Sequence, residues 1–305
     1  MEQKKNKKTP EVSVIIPTHN RANLLKRAIK SVLSQGYQDF ELIIVDDAST
    51  DGTESTVNNF QDSRIKYVCH QKNKGGSAAR NTGIQMSKGK YIGLLDDDDQ
   101  WLPDKLSKQV DRFRKAPKRV GIIYSGCEVQ SEDGRVIRRY YPQYKGDLRL
   151  RLLKGTTIAS PTPLIKKECF IKTGKFDESL KSCQDWDMWK RISEYYEFDY
   201  VPEILAITYL HKEQISFDLA SMIPGRTRMV EKHKGELKKY PDVLVIHLKR
   251  LGKLHCINGS WKEARYWFKR AIEINRFEII KILAWCVLEL PRIKYFSNLK
   301  NFKKY

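Results

Sequence analysis

Two short, mostly apolar runs stand out near the start of the chain, residues 12–16 (VSVII) ending at Pro17 and residues 41–45 (ELIIV) ending at Asp46. Runs of this length without polar alternation predict strands buried on both faces. Between them Leu24, Leu25, Ala28, Ile29, Val32 and Leu33 recur at helical spacing, with Asn23 available as a cap. The alternation continues with a helix over 53–60, a strand over 65–69, a helix over 77–86 and a strand over 91–95. A helix after Pro103 to about Lys115 and a strand over 121–124 complete this half. Such alternation predicts an α/β fold with a mostly parallel sheet and helices on both faces. In such sheets ligands bind outside the carboxyl ends of the strands. Three of these ends carry polar residues: Pro17-Thr18-His19-Asn20, Asp46-Asp47, and Asp96 through Asp99.

Farther on the pattern loosens. A hairpin is expected to turn at Asp133-Gly134, followed by a basic, tyrosine-rich stretch over 135–154 that reads as a mobile loop. A helix carrying Asp185-Trp186-Asp187-Met188-Trp189 comes next, then strands near Phe198 and Ile204. From Leu219 the pattern is helical, with interruptions at Pro224-Gly225 and Pro241. The expected organisation is a basic tail over 1–10, an α/β domain over 11–216 and a helical region over 217–305. Within the last, residues 259–272 resemble half of a tetratricopeptide repeat; a single unit cannot bury its own face, which leaves a docked helical hairpin or a partner surface.

Composition narrows the partners. The 305 residues are 40% hydrophobic, enough for a sizeable core, and 57 Lys and Arg against 37 Asp and Glu give a formal charge of +20. An anionic partner fits, whether nucleic acid, membrane phospholipid or phosphorylated substrate, but lysine-rich solvated faces fit as well. No recognisable nucleic-acid motif is present, so nucleic acid is not expected. The six cysteines, Cys69, Cys127, Cys169, Cys183, Cys256 and Cys286, form no CxxC pair and are expected to be reduced, mostly packed thiols. The lysine-rich start lacks the apolar core of a secretory signal, and residues 279–290 are too few to span a bilayer. The expected location is cytoplasmic, with peripheral attachment to the inner face of the cytoplasmic membrane left open.

Four consecutive carboxylates at the end of a buried strand raise one another's pKa unless a cation offsets them. A divalent ion such as Mg²⁺ or Mn²⁺ would do so with oxygen ligands. On alternation alone Asp96 and Asp98 address one ligand while Asp97 and Asp99 face elsewhere. The competing reading is a solvated acidic turn that caps the next helix. Asp46-Asp47 can accept from a base N–H, or can simply belong to an ordinary turn and cap. Gly75-Gly76 precede a helix whose N-terminus, with Arg80, suits an anion such as a diphosphate, but they match neither a dinucleotide fingerprint nor a P-loop. His19 and the tryptophans read as packing.

Taken together, Val12 to Arg21 (VSVIIPTHNR), Phe40 to Thr53 (FELIIVDDASTDGT), Asn73-Lys74-Gly75-Gly76 with Ala79-Arg80-Asn81, and Leu94-Leu95-Asp96-Asp97-Asp98-Asp99 closely resemble the family 2 glycosyltransferases of GT-A fold over roughly the first 210 residues. The resemblance implies inverting sugar transfer from a nucleotide-diphosphate donor, most often a UDP-sugar, to a glycan or lipid-linked acceptor in surface polysaccharide or glycolipid synthesis. It implies a nucleoside pocket lined by Pro17 and its neighbours Thr18 and Asn20, with Asp47 as the base-binding acid and Asp46 beside it. The family's DXD element falls on Asp96-Asp97-Asp98, with Asp98 ligating the metal and Asp96 or Asp97 contacting the ribose or the metal shell. The catalytic base falls on Asp185, although Gln184 stands where many relatives carry Glu. The rival readings are a sugar nucleotidyltransferase, which normally has a glycine-rich loop after the first strand, and a non-enzymatic basic module.

Overall fold

The computed structural model describes residues 9–156, 158–210 and 218–288. The chain divides into two compact units, the first comprising Met1–Ser179 and Gln184–Lys212, the second Leu180–Cys183 and Glu213–Tyr305. The boundary expected near Ser216 lies outside the described residues, as does most of the basic tail.

The first unit is built on a nine-stranded sheet. Strands β1 (Val12–Thr18), β2 (Phe40–Asp46), β3 (Ile65–Cys69) and β4 (Tyr91–Leu94) are parallel, in the order β3-β2-β1-β4. Every residue of β1 and β2 is buried, because the sheet is covered on both sides. Val12, Val14 and Ile16 pack with Leu25, Ala28, Ile29 and Val32 of α1 (Ala22–Leu33), whereas Ile15, Ile43 and Val45 pack with Ala79 and Ile84 of α3 (Gly76–Met86). The pleat sends alternate side chains to opposite faces, so two-sided cover favours a mostly apolar run, and the buried polar pair within it satisfies itself, the Ser13 hydroxyl donating to Glu41 Oε1 at 2.6 Å. Gly83 lets α3 lie close on the sheet: a Cβ there would stand 2.4 Å from an Ile15 methyl.

Beyond β4 the sheet becomes mixed. Its order continues β8 (Leu164–Lys166), β6 (Val120–Ser131), β9 (Glu197–Leu210) and β5 (Gln100–Trp101), with β4–β8, β8–β6 and β9–β5 antiparallel and β6–β9 parallel. Helix α2 (Thr53–Asn58) follows β2, α4 (Lys105–Lys115) follows β5, and α6 (Lys167–Thr173) and α7 (Gln184–Ser193) precede β9.

Several expectations need correction here. The stretch over 135–154 is not structureless: it contains the exposed strand β7 (Val136–Tyr140), paired with β6, and the short helix α5 (Arg149–Lys154). The two strands expected near Phe198 and Ile204 are one fourteen-residue strand, which passes Pro202 where its register with β6 shifts. His19 is exposed rather than packed, and Trp261 is exposed as well, while Trp101, Trp186, Trp189 and Trp267 are buried. All six cysteines are free; Cys127, Cys169 and Cys256 are buried, but Cys69 is exposed.

The second unit is helical: α8 (Leu219–Lys232), α9 (Lys234–Leu237), α10 (Pro241–Ile257), α11 (Trp261–Ile274) and α12 (Glu278–Leu288). Pro241 opens α10 at its first turn, where a missing N–H does no harm. Pro224, by contrast, does not interrupt the chain, and α8 runs through it. Burial of Gly225, Met229 and Val230 beyond it supplies the packing that outweighs the lost hydrogen bond. Cys256, Ala264, Phe268 and Ile282 form a small core of their own in α10, α11 and α12.

Candidate active site at the carboxyl ends of the parallel strands

Strand register assembles the site. Thr18 pairs with Asp46, Pro17 with Val45, and Ile15 with Leu94, so the chain leaves β1, β2 and β4 at neighbouring points of one sheet edge. Two of these exits adopt a left-handed backbone at a non-glycine residue, Asn20 at φ 53° and Ala48 at φ 62°. Such positions carry strain that the surroundings must hold in place. A mutual clasp does so here: the Asn20 N–H donates to Ser49 Oγ at 2.8 Å, and the Thr50 N–H donates to Asn20 Oδ1 at 2.7 Å.

The β2 end carries a fully engaged acid pair. Asp46 Oδ1 accepts from the Ser49 N–H at 2.8 Å, and its Oδ2 accepts from the Tyr67 hydroxyl at 2.6 Å. Asp47 accepts from the Lys74 N–H at 2.9 Å and the Gly75 N–H at 2.6 Å, and pairs with His70 Nδ1 at 2.7 Å. Burial alone would raise the Asp47 carboxyl, but these hydrogen bonds more than offset it and hold the group below its ordinary value. His70 also reaches Thr82 Oγ1 of α3 at 2.9 Å. Gly75, at φ +90°, turns the chain into α3 directly beside this carboxylate.

The β4 end is different in kind. Thr18 donates to Asp97 Oδ2 at 2.7 Å, and Arg21 reaches Asp97 Oδ1 and Asp98 Oδ2, both at 3.1 Å. Arg80 pairs with Asp96 Oδ1 at 2.5 Å, and Arg27 donates to the Asp98 carbonyl at 2.5 Å while stacking 3.5 Å over Tyr209. Asp96, Asp98 and Asp99 each offer an oxygen within 4.8 Å of the others, a grouping that could hold a metal ion. Asp99 is buried, and its Oδ1 has no hydrogen-bond partner. Burial, together with Asp98 and Asp96, pushes its carboxyl well above the usual range; burial is likewise the main reason Asp97 rises to about 6.

Asp185, in the first turn of α7, belongs to the same electrostatic field. Its Oδ1 accepts from the Trp186 N–H at 2.7 Å, and burial raises its pKa against the opposing pull of Arg80, with Asp96 adding to the rise. Trp186 Nε1 donates to the Leu152 carbonyl at 2.5 Å, which fixes the start of the helix.

Of the residues singled out by sequence, Thr18, Arg80, Asp96, Asp97, Asp98 and Asp185 thus form one charged group, while Asp46 and Asp47 belong to a separate network with Tyr67 and His70. Asn20 is engaged in the loop clasp, and Pro17 is buried within β1. Arg80 faces the acids. Asp99 is not a cap: Asp104 occupies the N-cap position of α4, and Asp99 turns toward Asp96 and Asp98. Arg21, Arg27 and His70 were not singled out by sequence. The signal that would have found the arginines is charge balance, since four consecutive acids, three of them buried, require cations on the elements around them.

An open parallel half with acids at its strand ends, continued by a mixed half, matches the GT-A fold of solved glycosyltransferases. Solved structures with this fold include S. aureus TarS in complex with UDP-GlcNAc, at TM-score 0.60 and 15% identity, covering 85% of this chain and 90% of that one. They also include the mannosyltransferase PcManGT from Pyrobaculum calidifontis with GDP-Man and Mn²⁺, at TM-score 0.57 and 20% identity, covering 97% and 81%. The chain belongs to glycosyl transferase family 2, whose family model matches residues 13–174. An uncharacterized glycosyltransferase of Rickettsia prowazekii is 36% identical over 267 residues, 84% of this chain and 78% of that protein. A protein of Escherichia coli that carries the name colanic acid biosynthesis glycosyl transferase, WcaA, is 33% identical over 248 residues, covering 77% and 86%.

Proposed function

We propose that this glycosyltransferase transfers a sugar, with inversion, from a nucleotide-diphosphate donor to a glycan or lipid-linked hydroxyl, and that it requires a divalent cation at Asp96, Asp98 and Asp99. The observation that carries the reading is the acid cluster at the β4 end, whose Asp99 Oδ1 has no partner among the described residues, with Arg80 and Asp185 beside it. Among the described residues, five carboxylates, Asp96 to Asp99 and Asp185, face the three guanidiniums of Arg21, Arg27 and Arg80, an anionic excess within that set. An all-oxygen donor set of this kind suits Mg²⁺ or Mn²⁺, ions that share their ligands between carboxylates and substrate phosphates.

When bound, the ion neutralises the departing diphosphate. The remaining work falls to the chain. Asp185 accepts the acceptor hydroxyl's proton as its oxygen bonds to the anomeric carbon; the bond from that carbon to the diphosphate oxygen breaks, and the nucleoside diphosphate leaves. Arg80 holds Asp96 in place. The nucleoside is assigned to the edge formed by Pro17, Thr18, Asn20, Asp46 and Asp47, with Asp47 acting through the shape of the loop it clamps. The ligands named for TarS, UDP-GlcNAc, and for PcManGT, GDP-Man, support a nucleotide-sugar donor; of the two nucleotides we propose UDP, which the resemblance implies most often. The name of WcaA supports a role in cell-surface polysaccharide synthesis. A sugar nucleotidyltransferase is disfavoured because the loop after β1 has no glycine and Asn20 is tied to Ser49 and Thr50.

A panel of UDP-, GDP- and dTDP-sugars, scored for thermal stabilisation with Mn²⁺, tests the donor reading; a donor at a hundred times its Kd should add about 2.7 kcal/mol. If none of them stabilises the protein with metal present, the reading fails. For the base, Asp185→Asn should lower kcat by about 10³-fold with donor affinity unchanged. Parallel loss of both would count against the assignment.

A further inference from the structure

Helix α12 is apolar around most of its circumference. One side seats Ile282 in the small core of the helical unit, with Trp285 and Cys286 packed against it. Glu278 at its start is held by Lys249 and Lys281. The other side is equally apolar yet open to solvent: Ile280 is 67% exposed, Leu283 57%, Val287 70% and Leu288 60%. Phe277, one residue before the helix, is exposed too. A water-facing helix side is normally polar, and one that is apolar on both sides needs a second apolar surface.

The charge around this face selects the surface. Residues 218–305 carry 20 Lys and Arg against 8 Asp and Glu. The sixteen residues that follow Glu289 hold five Lys and Arg, four aromatic residues and no acid. Apolar side chains on one helix face, in a segment whose sequence is rich in basic and aromatic residues, suit the boundary between anionic headgroups and acyl chains. A second copy would bring two strongly basic surfaces together, which is unfavourable. The helix has eleven residues, about 16 Å at 1.5 Å per residue, against a hydrocarbon core of about 30 Å. No helix among the described residues is long and apolar enough to cross a membrane. The geometry therefore fits a helix that lies in the interface.

We propose that the exposed face of α12, formed by Ile280, Leu283, Val287 and Leu288, docks on an anionic lipid surface. This attachment is independent of the donor and metal assignments, and it would hold the enzyme where lipid-linked acceptors are found.

Cosedimentation of the full chain at physiological salt tests it, using vesicles of phosphatidylcholine alone or with one part in three of phosphatidylglycerol. The protein is expected to sediment with the mixed vesicles and to remain largely free with the neutral ones. Ile280→Glu and Leu283→Glu should each weaken vesicle binding about tenfold. Ile280→Ser, which adds no charge, should give a smaller loss in the same direction. Thermal midpoints and Mn²⁺-dependent donor stabilisation should stay at wild-type values in all three, which separates this idea from the catalytic one. Three outcomes would overturn it: no binding to mixed vesicles; unchanged vesicle binding in both glutamate variants; or a dimer that these variants split by analytical ultracentrifugation while vesicle binding persists. If removal of residues 289–305 is what first permits vesicle binding, the face is covered by the chain's own end and the proposal also fails.

Discussion

Two acidic strand ends lie on the same sheet edge and behave oppositely. At the end of β2, each oxygen of Asp46 and Asp47 accepts from a donor within the protein, and Asp47 is held below its ordinary pKa. At the end of β4, buried acids crowd one another, Asp99 is pushed well above the ordinary range, and one of its oxygens has no donor. The first end is complete without a ligand. In the proposed assignment, a cation from outside completes the second. A run of acids is therefore no evidence of a metal by itself; what distinguishes the two is whether the fold supplies enough donors.

Substitutions should separate the two ends. The largest effect is expected for Asp98→Ala, which removes a proposed ligand: Mn²⁺-dependent donor affinity should fall on the order of a hundredfold, read by calorimetry, with little change in the midpoint of the metal-free protein. Asp47→Asn should do the reverse. Its amide would present N–H to the Lys74 or Gly75 N–H, costing about 2 kcal/mol of stability in chemical unfolding, while Mn²⁺ stabilisation survives. Asp99→Asn should raise metal-free stability, because it removes a carboxyl whose ionisation the buried, crowded site opposes, and should abolish the stabilisation by Mn²⁺. If Asp99→Asn destabilises the metal-free protein as Asp47→Asn does, the two ends are alike and the comparison collapses.

The smallest effect is a pH slope. The Asp47 carboxyl, ordinarily near 3.8, is lowered in the folded protein, so its contribution is fully present above the unfolded value and is lost as pH falls through the folded one. As pH falls from about 5 through 3.8 and below, the wild type should lose more stability than Asp47→Asn. Equal slopes would mean that the clamp does not discriminate between the charged and neutral forms.

The sequence made the parallel half readable because two-sided burial leaves a mostly apolar run, as in β1 and β2. The mixed half escaped it for specific reasons. Strands β5 and β8 have two and three residues, too few for a period to register, and β7 is fully exposed and basic. Pro202 made one strand look like two, and Pro224 suggested a break that packing overrides. The acids of the site were visible as types, but their roles were not. Alternation assigned Asp99 away from Asp96 and Asp98, yet these residues form a turn beyond β4, where extended-strand alternation no longer applies. The division between the β2 and β4 ends rests on donors from distant segments, His70 and Gly75 for one and Arg21 and Arg80 for the other. Local pattern does not reveal such partners.

The most direct test is a titration of Mn²⁺ followed by electron paramagnetic resonance, with UDP present, on the wild type, Asp47→Asn and Asp98→Ala. One tightly bound ion is expected in the wild type and in Asp47→Asn, and a loss of about a hundredfold in affinity in Asp98→Ala. Equal Mn²⁺ affinity in all three proteins, or none in the wild type, would contradict the assignment of the β4 end as the metal site.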